Sequence, residues 1–130
     1  MLLAALLAVP GTSLAQRNMI VARQPPPAMG CMGRWVGSAR NGTGAPWTIV
    51  MDVSAPGGPM CGAIEYPSLG CGGMLINCVT RSGQSTFVEQ YTHNPGTCAP
   101  DGTIVARCNG RMMQWTWVGQ EVVRTTLVRQ

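Results

Sequence analysis

Several chemical groups on which common enzymes depend are scarce in this 130-residue sequence. It contains no lysine, only five acidic residues and a single histidine, His93. Its six cysteines include no C-x-x-C pair, which argues against a zinc ribbon or a thioredoxin-like redox site. The G-x-S-x-G segment that presents an activated serine is also missing. We therefore expect no catalytic residue, no metal and no cofactor, and a hydrolase that uses His93 as a base is the alternative.

Long apolar runs and clustered positive charge are missing as well. The first residues, MLLAALLAVPGTSLAQ, form an apolar run that is too short and too interrupted by Pro10 and Gly11 to span a bilayer. The run ends in small residues around Ala15, which is typical of a secretory signal peptide, and we predict one over residues 1–15. The net charge of +4 comes from arginines that are scattered and form no run, and the sequence has only seven aromatic residues. We therefore expect neither nucleic-acid binding nor a membrane span.

The cysteines and the chain length define the compartment and the domain organisation. All six cysteines follow residue 15, and six is the number that three disulfide bonds require. We therefore predict a periplasmic or secreted protein, and we expect it to be a monomer. Residues 16–32, which include three consecutive prolines, indicate an extended leader. Residues 33–130 are enough for a single domain.

Short runs of β-branched and aromatic residues alternate with turn clusters from residue 33 onward, at intervals of about ten residues. This spacing predicts an all-β domain. The eight predicted strands are Gly33–Ala39, Trp47–Val53, Met60–Tyr66, Met74–Val79, Ser85–Thr92, Thr103–Cys108, Met112–Val118 and Glu121–Arg129. Short turns favour an antiparallel up-and-down meander closed into a small barrel of lipocalin-like or avidin-like architecture, and an open two-sheet sandwich is the alternative.

The inside of such a barrel is either filled by side chains or holds one small ligand. We expect it to be filled, because aromatic residues at strand parity are usually core. A ligand cavity is the alternative, and its candidate lining is Trp35, Trp47, Tyr66, Tyr91, Trp115 and Trp117.

Two predicted hairpins near the end of the chain have testable registers. Asn109-Gly110 predicts a type I′ turn that pairs Cys108 with Arg111. The predicted inner face of this hairpin consists of Ile104, Ala106, Met113, Trp115 and Trp117. A two-residue turn at Gly119-Gln120 conflicts with the hydrophobic pattern, because it turns Val123 and Leu127 outward. We therefore predict a bulge or a longer loop near Gly119 that shifts the register by one residue.

The meander restricts how the cysteines pair, because its connections alternate between the two ends of the barrel. Partners must also have Cα atoms within about 7 Å. One end carries only two cysteines, and two of the other four lie on adjacent strands. The predicted pairs are Cys71–Cys98 at the first end, with Cys61–Cys78 and Cys31–Cys108 at the other.

The loops at the Cys71–Cys98 end are the longest and the richest in glycine and asparagine: Arg40–Pro46, Tyr66–Gly73 and His93–Gly102. Binding residues concentrate on loops that a rigid scaffold positions. The predicted contact residues are Arg40, Asn41, Tyr66, Ser68, Leu69, His93 and Asn94. Glu65 and Glu89 lie in strands, where each faces either the solvent or an internal functional site.

Five segments together resemble a small extracytoplasmic bacterial β domain that occurs in secreted proteins and lipoproteins, and as the outer domain of some receptor-like serine/threonine kinases. The segments are Gly33–Gly37, Tyr66–Gly73 (YPSLGCGG), Phe87–Glu89, Gly96–Cys98 and Thr125–Arg129. The resemblance covers about Gly33 to Arg129 and depends mainly on YPSLGCGG.

This resemblance implies an exported module that senses, binds or inhibits a target, with no established activity. We therefore expect a non-catalytic module that contacts a protein, a glycan or a small ligand. The alternative is an inhibitor of a secreted hydrolase such as a lysozyme or a protease, in which the Tyr66–Gly73 loop enters the active site of the target.

Overall fold

The computed structural model describes residues 30–100 and 102–130, which form eight antiparallel strands closed into one barrel. The strands are β1 Gly33–Ala39, β2 Trp47–Val53, β3 Gly58–Tyr66, β4 Cys71–Arg81, β5 Gln84–His93, β6 Thr103–Asn109, β7 Met112–Val118 and β8 Val122–Arg129. Each strand pairs with its neighbours in sequence, and β1 closes the barrel against β8. The predicted meander and barrel are confirmed. The predicted signal peptide and most of the predicted leader lie outside the described residues.

Side chains alternate between the inside of the barrel and the solvent, as the two-residue period of a strand requires. In β2, for example, Ile49, Met51 and Val53 are buried. Tight packing fills the middle of the barrel, where the fully buried side chains include Trp35, Ile64, Leu75, Ile104, Met113, Trp115 and Leu127. Cavities lie at the two ends among the described residues. No described helix has the length and hydropathy needed to cross a membrane.

The β6–β7 hairpin differs from the predicted register by two residues. Asn109 pairs with Met112, and Cys108 pairs with Met113 rather than with Arg111. The turn is therefore Gly110-Arg111, and only Gly110 has a positive φ, of 62°. A type I′ turn needs a positive φ at both central residues, so the type I′ prediction is wrong. The inward set survives, because a shift of two residues keeps every side chain on the same face.

The β7–β8 connection has the longer loop that the sequence predicts. Val118 pairs with Val122, which leaves three residues, 119–121, in the loop. The additional residue restores the hydrophobic parity of β8, and Val123 and Leu127 are buried.

Two register irregularities that the sequence did not reveal accompany the burial of Cys61 and Cys78 inside the barrel. In β3 the register shifts between Met60 and Gly62, and in β4 it shifts between Ile76 and Val79. A bulge adds one residue to a strand and so changes the face that the following residues occupy.

Three disulfide bonds link the pairs that the meander predicts. Cys31–Cys108 and Cys61–Cys78 lie at one end of the barrel, with Cα separations of 5.2 and 6.2 Å. Cys71–Cys98 lies at the other end, with a Cα separation of 6.1 Å. Disulfide bonds of this number fit an oxidising compartment.

Candidate functional site

A cavity opens at the barrel end that carries Cys71–Cys98, and we call it the mouth cavity. Its volume is about 200 Å³ and its walls are chiefly apolar. It is lined by Asn41, Trp47, Tyr66, Leu69, Tyr91, Cys98, Ala99, Trp117, Glu121 and Val123. The connections that precede β2, β4, β6 and β8 meet at this end of the barrel. The aromatic side chains of the lining come from the adjacent ends of the strands.

Two of the aromatic walls meet almost at a right angle. The ring centroids of Trp47 and Tyr66 are 5.5 Å apart and their planes make an angle of 76°. Trp47 also packs edge-to-face on Trp115, at 6.3 Å and 73°. Trp115 is fully buried, so the corner made by Trp47 and Tyr66 rests directly on the core. Edge-to-face packing of this kind holds aromatic side chains in a defined orientation.

A buried carboxylate, Glu89, lies behind three of the cavity walls. Tyr91 Oη and Trp117 Nε1 each donate a hydrogen bond to Glu89 Oε1 at 2.8 Å, and Tyr66 Oη donates to Glu89 Oε2. Glu89 is only 7% exposed. The polar tips of three lining side chains are thus directed at one carboxylate, which leaves their ring carbons to form the cavity wall.

Burial changes the protonation chemistry of this cluster. It raises the pKa of Glu89 above that of an ordinary glutamate, while the three hydrogen bonds from Tyr66, Trp117 and Tyr91 oppose that rise. The pKa values of Tyr66 and Tyr91 are also raised, first by burial and then by the charge of Glu89. Both hydroxyl groups therefore keep their protons at neutral pH.

The Trp117 indole reaches Glu89 because two glycines leave room for it. A Cβ atom at Gly102 or at Gly119 would overlap the indole ring. Gly102 also accepts a backbone hydrogen bond from the N–H of Glu89, at 3.2 Å. The connections on either side of Trp117 therefore fix the position of this wall.

The turn between β3 and β4 forms one side of the mouth. It is shorter than the predicted Tyr66–Gly73 loop, because Cys71 pairs with Tyr66 and already belongs to β4. Ser68 Oγ accepts the backbone N–H of Thr48 at 3.0 Å, and Asn94 Nδ2 donates to the Gly70 carbonyl at 2.7 Å. These bonds brace the turn from the start of β2 and from the β5–β6 loop.

The mouth has a polar rim on the opposite side. Asn41 Nδ2 donates to Glu121 Oε2 at 3.1 Å, which connects the β1–β2 loop to the β7–β8 loop. Both side chains are exposed, and both line the cavity. Glu121 therefore places an acidic group at the entrance.

His93 belongs to a different surface. Its Nε2 lies 2.9 Å from Glu65 Oε1, and its Nδ1 lies 3.2 Å from Thr92 Oγ1. The side chains of His93 and Glu65 are roughly half exposed on the outside of the barrel. A hydroxyl, an imidazole and a carboxylate are thus in contact, but none of the three lines either cavity of the described residues.

The structure divides the predicted contact residues into three groups. Asn41, Tyr66 and Leu69 line the mouth cavity, and Ser68 and Asn94 brace the adjacent turn. Arg40 and His93 are exposed and outside the lining.

The sequence analysis missed Glu121 and Ala99 in the lining and left Glu89 undecided. Parity supplies the signal for Glu89, because it follows Phe87 by two residues and so lies on the same buried face of β5. Four of the six aromatic residues proposed for a ligand cavity line the mouth, whereas Trp35 and Trp115 belong to the core.

The cavity at the opposite end has a volume of about 290 Å³. Its lining contains the Cys31–Cys108 bridge, Phe87 and Gly30, and it includes no ionisable side chain. Gly30 is the first described residue, so this cavity adjoins the part of the chain that the structure does not describe. Among the described residues no cluster of three or more His, Cys, Asp or Glu side chains is arranged to hold a metal ion.

Comparison of the chain with protein-family models, with curated proteins and with solved structures found no match. The mouth cavity and its supporting carboxylate are therefore interpreted from their own geometry.

Proposed function

We propose that this protein is an exported, non-catalytic binding module that holds its ligand in the mouth cavity. The observation that carries the proposal is the convergence of Tyr66, Tyr91 and Trp117 on the buried Glu89, because three hydrogen bonds fix the cavity wall before any ligand arrives. A pre-organised apolar pocket with a few polar groups at its rim is the usual form of a ligand site. The three disulfide bonds support export, and the resemblance to extracytoplasmic binding domains stays a prediction.

The test is a screen of small molecules by two-dimensional NMR of the purified, disulfide-bonded protein. The set includes an indole, a monosaccharide, an alkylamine and a carboxylic acid at millimolar concentrations. We expect at least one compound to shift amide signals around the mouth cavity. Ala99→Trp fills the mouth and should abolish these shifts, whereas Ala55→Trp, at the opposite cavity, should preserve them.

Two results of this screen contradict the proposal. One is that no compound produces a saturable shift. The other is that the shifts persist in Ala99→Trp and disappear in Ala55→Trp, which would assign binding to the opposite end of the barrel.

A hydrolase inhibitor is the second candidate, and the braced β3–β4 turn favours it. Leu69 is 37% exposed on a turn in which Ser68 is hydrogen-bonded to β2 and Gly70 to the β5–β6 loop. A rigid exposed loop of this type is what entry into an active site requires. The test measures whether this protein inhibits purified secreted lysozymes or proteases. Any such inhibition should be lost with Ser68→Arg or Leu69→Ala. Met60→Ala, an exposed apolar residue in β3, is the matched control.

A further inference from the structure

The ionisable groups at the mouth cavity are of one sign, opposite to that of the chain. The sequence has nine basic and five acidic residues, yet no arginine lines the mouth. Glu121 lines it, and Glu89 lies directly behind three of its walls. Two of the five acidic residues are therefore at this site, in a protein with a net charge of +4.

Neither of these glutamates has a cationic partner among the described residues. Arg34 pairs with Asp52, and His93 contacts Glu65 on the outer surface. Glu121 instead accepts a hydrogen bond from the neutral Asn41, and Glu89 accepts its bonds from two hydroxyls and an indole. The carboxylate of Glu121, at the entrance, is thus available to a cationic ligand.

Four aromatic side chains line the mouth cavity, and side chains of this type form cation-binding cages. Trp47 and Tyr66 meet at 76°, and Tyr91 and Trp117 contribute two further rings to the lining. The face of each ring is electron-rich and attracts a cation that lies within about 6 Å of its centre. Donation of the tyrosine hydroxyls to Glu89 increases this effect at pH values where Glu89 is ionised, because a hydrogen bond to an anion polarises the donor.

Other ligand classes fit the cavity less well. An anion needs arginine, lysine or free backbone donors, whereas the cavity lining contains Glu121 and no arginine. A sugar needs several polar partners, whereas three polar tips of the lining already bond to Glu89 and Asn41 bonds to Glu121. The volume of about 200 Å³ is below the roughly 300–1,000 Å³ of pockets for drug-sized ligands, so only a small group enters.

We infer that the mouth cavity binds a small alkylammonium ligand, a quaternary ammonium group above all, against its aromatic lining and beside the carboxylate of Glu121. The inference rests on the proposed function, since it names the ligand class of the same cavity. The source to which we commit is a free small molecule, because the small volume suits a single head group.

The experiment compares two probes of equal shape in titrations followed by tryptophan fluorescence and by NMR. Choline carries the charge, and 3,3-dimethyl-1-butanol replaces its nitrogen by carbon. At constant ionic strength we expect choline to bind at least about tenfold more tightly, which corresponds to about 1.4 kcal/mol. Glu121→Gln should weaken choline binding about threefold or more and leave the neutral probe unchanged, whereas Glu65→Gln, on the outer surface, should change neither.

The outcomes separate this inference from the proposed function. Equal binding of the two probes, or binding of the neutral probe alone, overturns the cation selectivity and leaves the binding function in place. Failure of both probes overturns the inference, and the binding function also fails only if the broader screen finds no ligand. A short lysine peptide that binds more tightly than choline would show that the occupant is a protein side chain and not a free molecule.

Discussion

Trp117 Nε1 donates a hydrogen bond of 2.8 Å to Glu89 Oε1, although the two residues lie on β7 and β5 with β6 between them. The indole spans the intervening strand at its end, where Gly102 precedes β6 and offers no side chain to obstruct it. Glycine at position 102 is therefore a requirement of the cavity wall, although this residue does not line the cavity.

Gly102→Ala tests this requirement. The added methyl group would overlap the indole, so Trp117 must move or the β5–β6 connection must shift. We expect a loss of about 1–3 kcal/mol in the free energy of unfolding, measured by urea denaturation, together with weaker ligand binding. Gly96→Ala is the control, because nothing lies within 4 Å of a Cβ atom at that position. Equal stability of the two variants would contradict the role of Gly102.

Glu89→Gln tests the protonation of the buried carboxylate. Burial raises the folded-state pKa of Glu89 above its ordinary value of 4.5, so folding takes up a proton at pH values between the ordinary and the raised pKa. The free energy of unfolding is therefore highest, as far as Glu89 determines it, below about pH 4.5. This stabilisation is lost as the pH rises through the raised pKa. From about pH 4 to pH 8 we expect the unmodified protein to lose stability relative to Glu89→Gln, by about 1.4 kcal/mol for each unit of the rise.

The control for this prediction is Glu89→Ala. A glutamine amide still accepts from Trp117 and Tyr91, and it donates to Tyr66, whose hydroxyl then acts as an acceptor. Alanine leaves these donors without that partner, at a cost of about 1–3 kcal/mol for each buried group. We expect a large loss of stability with Glu89→Ala at every pH. A difference between the unmodified protein and Glu89→Gln that stays constant with pH would contradict the raised pKa.

The disulfide bond at the mouth should support both stability and binding. Cys71 and Cys98 are separated by 27 residues, and a loop of that length corresponds to about 3.5 kcal/mol of chain entropy. Cys98 also lines the cavity. Replacement of both cysteines by alanine should lower the denaturation midpoint and weaken binding of any mouth ligand.

The matched control removes Cys31–Cys108, at the opposite end. Its separation of 77 residues corresponds to about 4.5 kcal/mol, so the loss of stability should be at least as large. Binding by the molecules that remain folded should be unchanged. Loss of binding in both double variants to the same degree would show that the mouth depends on global stability alone.

Sequence reasoning reached the barrel because parity and turn spacing are properties of short segments. β1, β2 and β7 have the predicted bounds, since each is a clear alternation between turn clusters. Parity also explains why the wrong turn at Asn109-Gly110 did no harm to the assignment of the inner face. The disulfide pairs followed from topology, because a meander assigns each loop to one of two ends.

The cavity itself was harder to predict, since it depends on how far individual side chains reach. The three side chains that bond to Glu89 are those of Tyr66, Tyr91 and Trp117. Each alternates along its strand as a core residue does, so nothing local distinguishes them from Trp115, which is fully buried. What separates them is their position at the strand ends and their convergence on Glu89. That convergence joins three strands and depends on Gly102, so no single segment contains its signal.

The outer cluster of His93, Glu65 and Thr92 provides the last prediction, because it decides between a surface ion pair and a catalytic relay. The His93 and Glu65 side chains are 44% and 46% exposed, and exposed pairs contribute about 0–1 kcal/mol. We expect His93→Ala to change the free energy of unfolding by less than about 1 kcal/mol and to leave binding at the mouth intact. Activity profiling with ester, peptide and glycoside substrates measures the alternative. A hydrolytic activity that is present in the unmodified protein and lost in both His93→Ala and Glu65→Gln would establish the relay as catalytic and contradict the non-catalytic function.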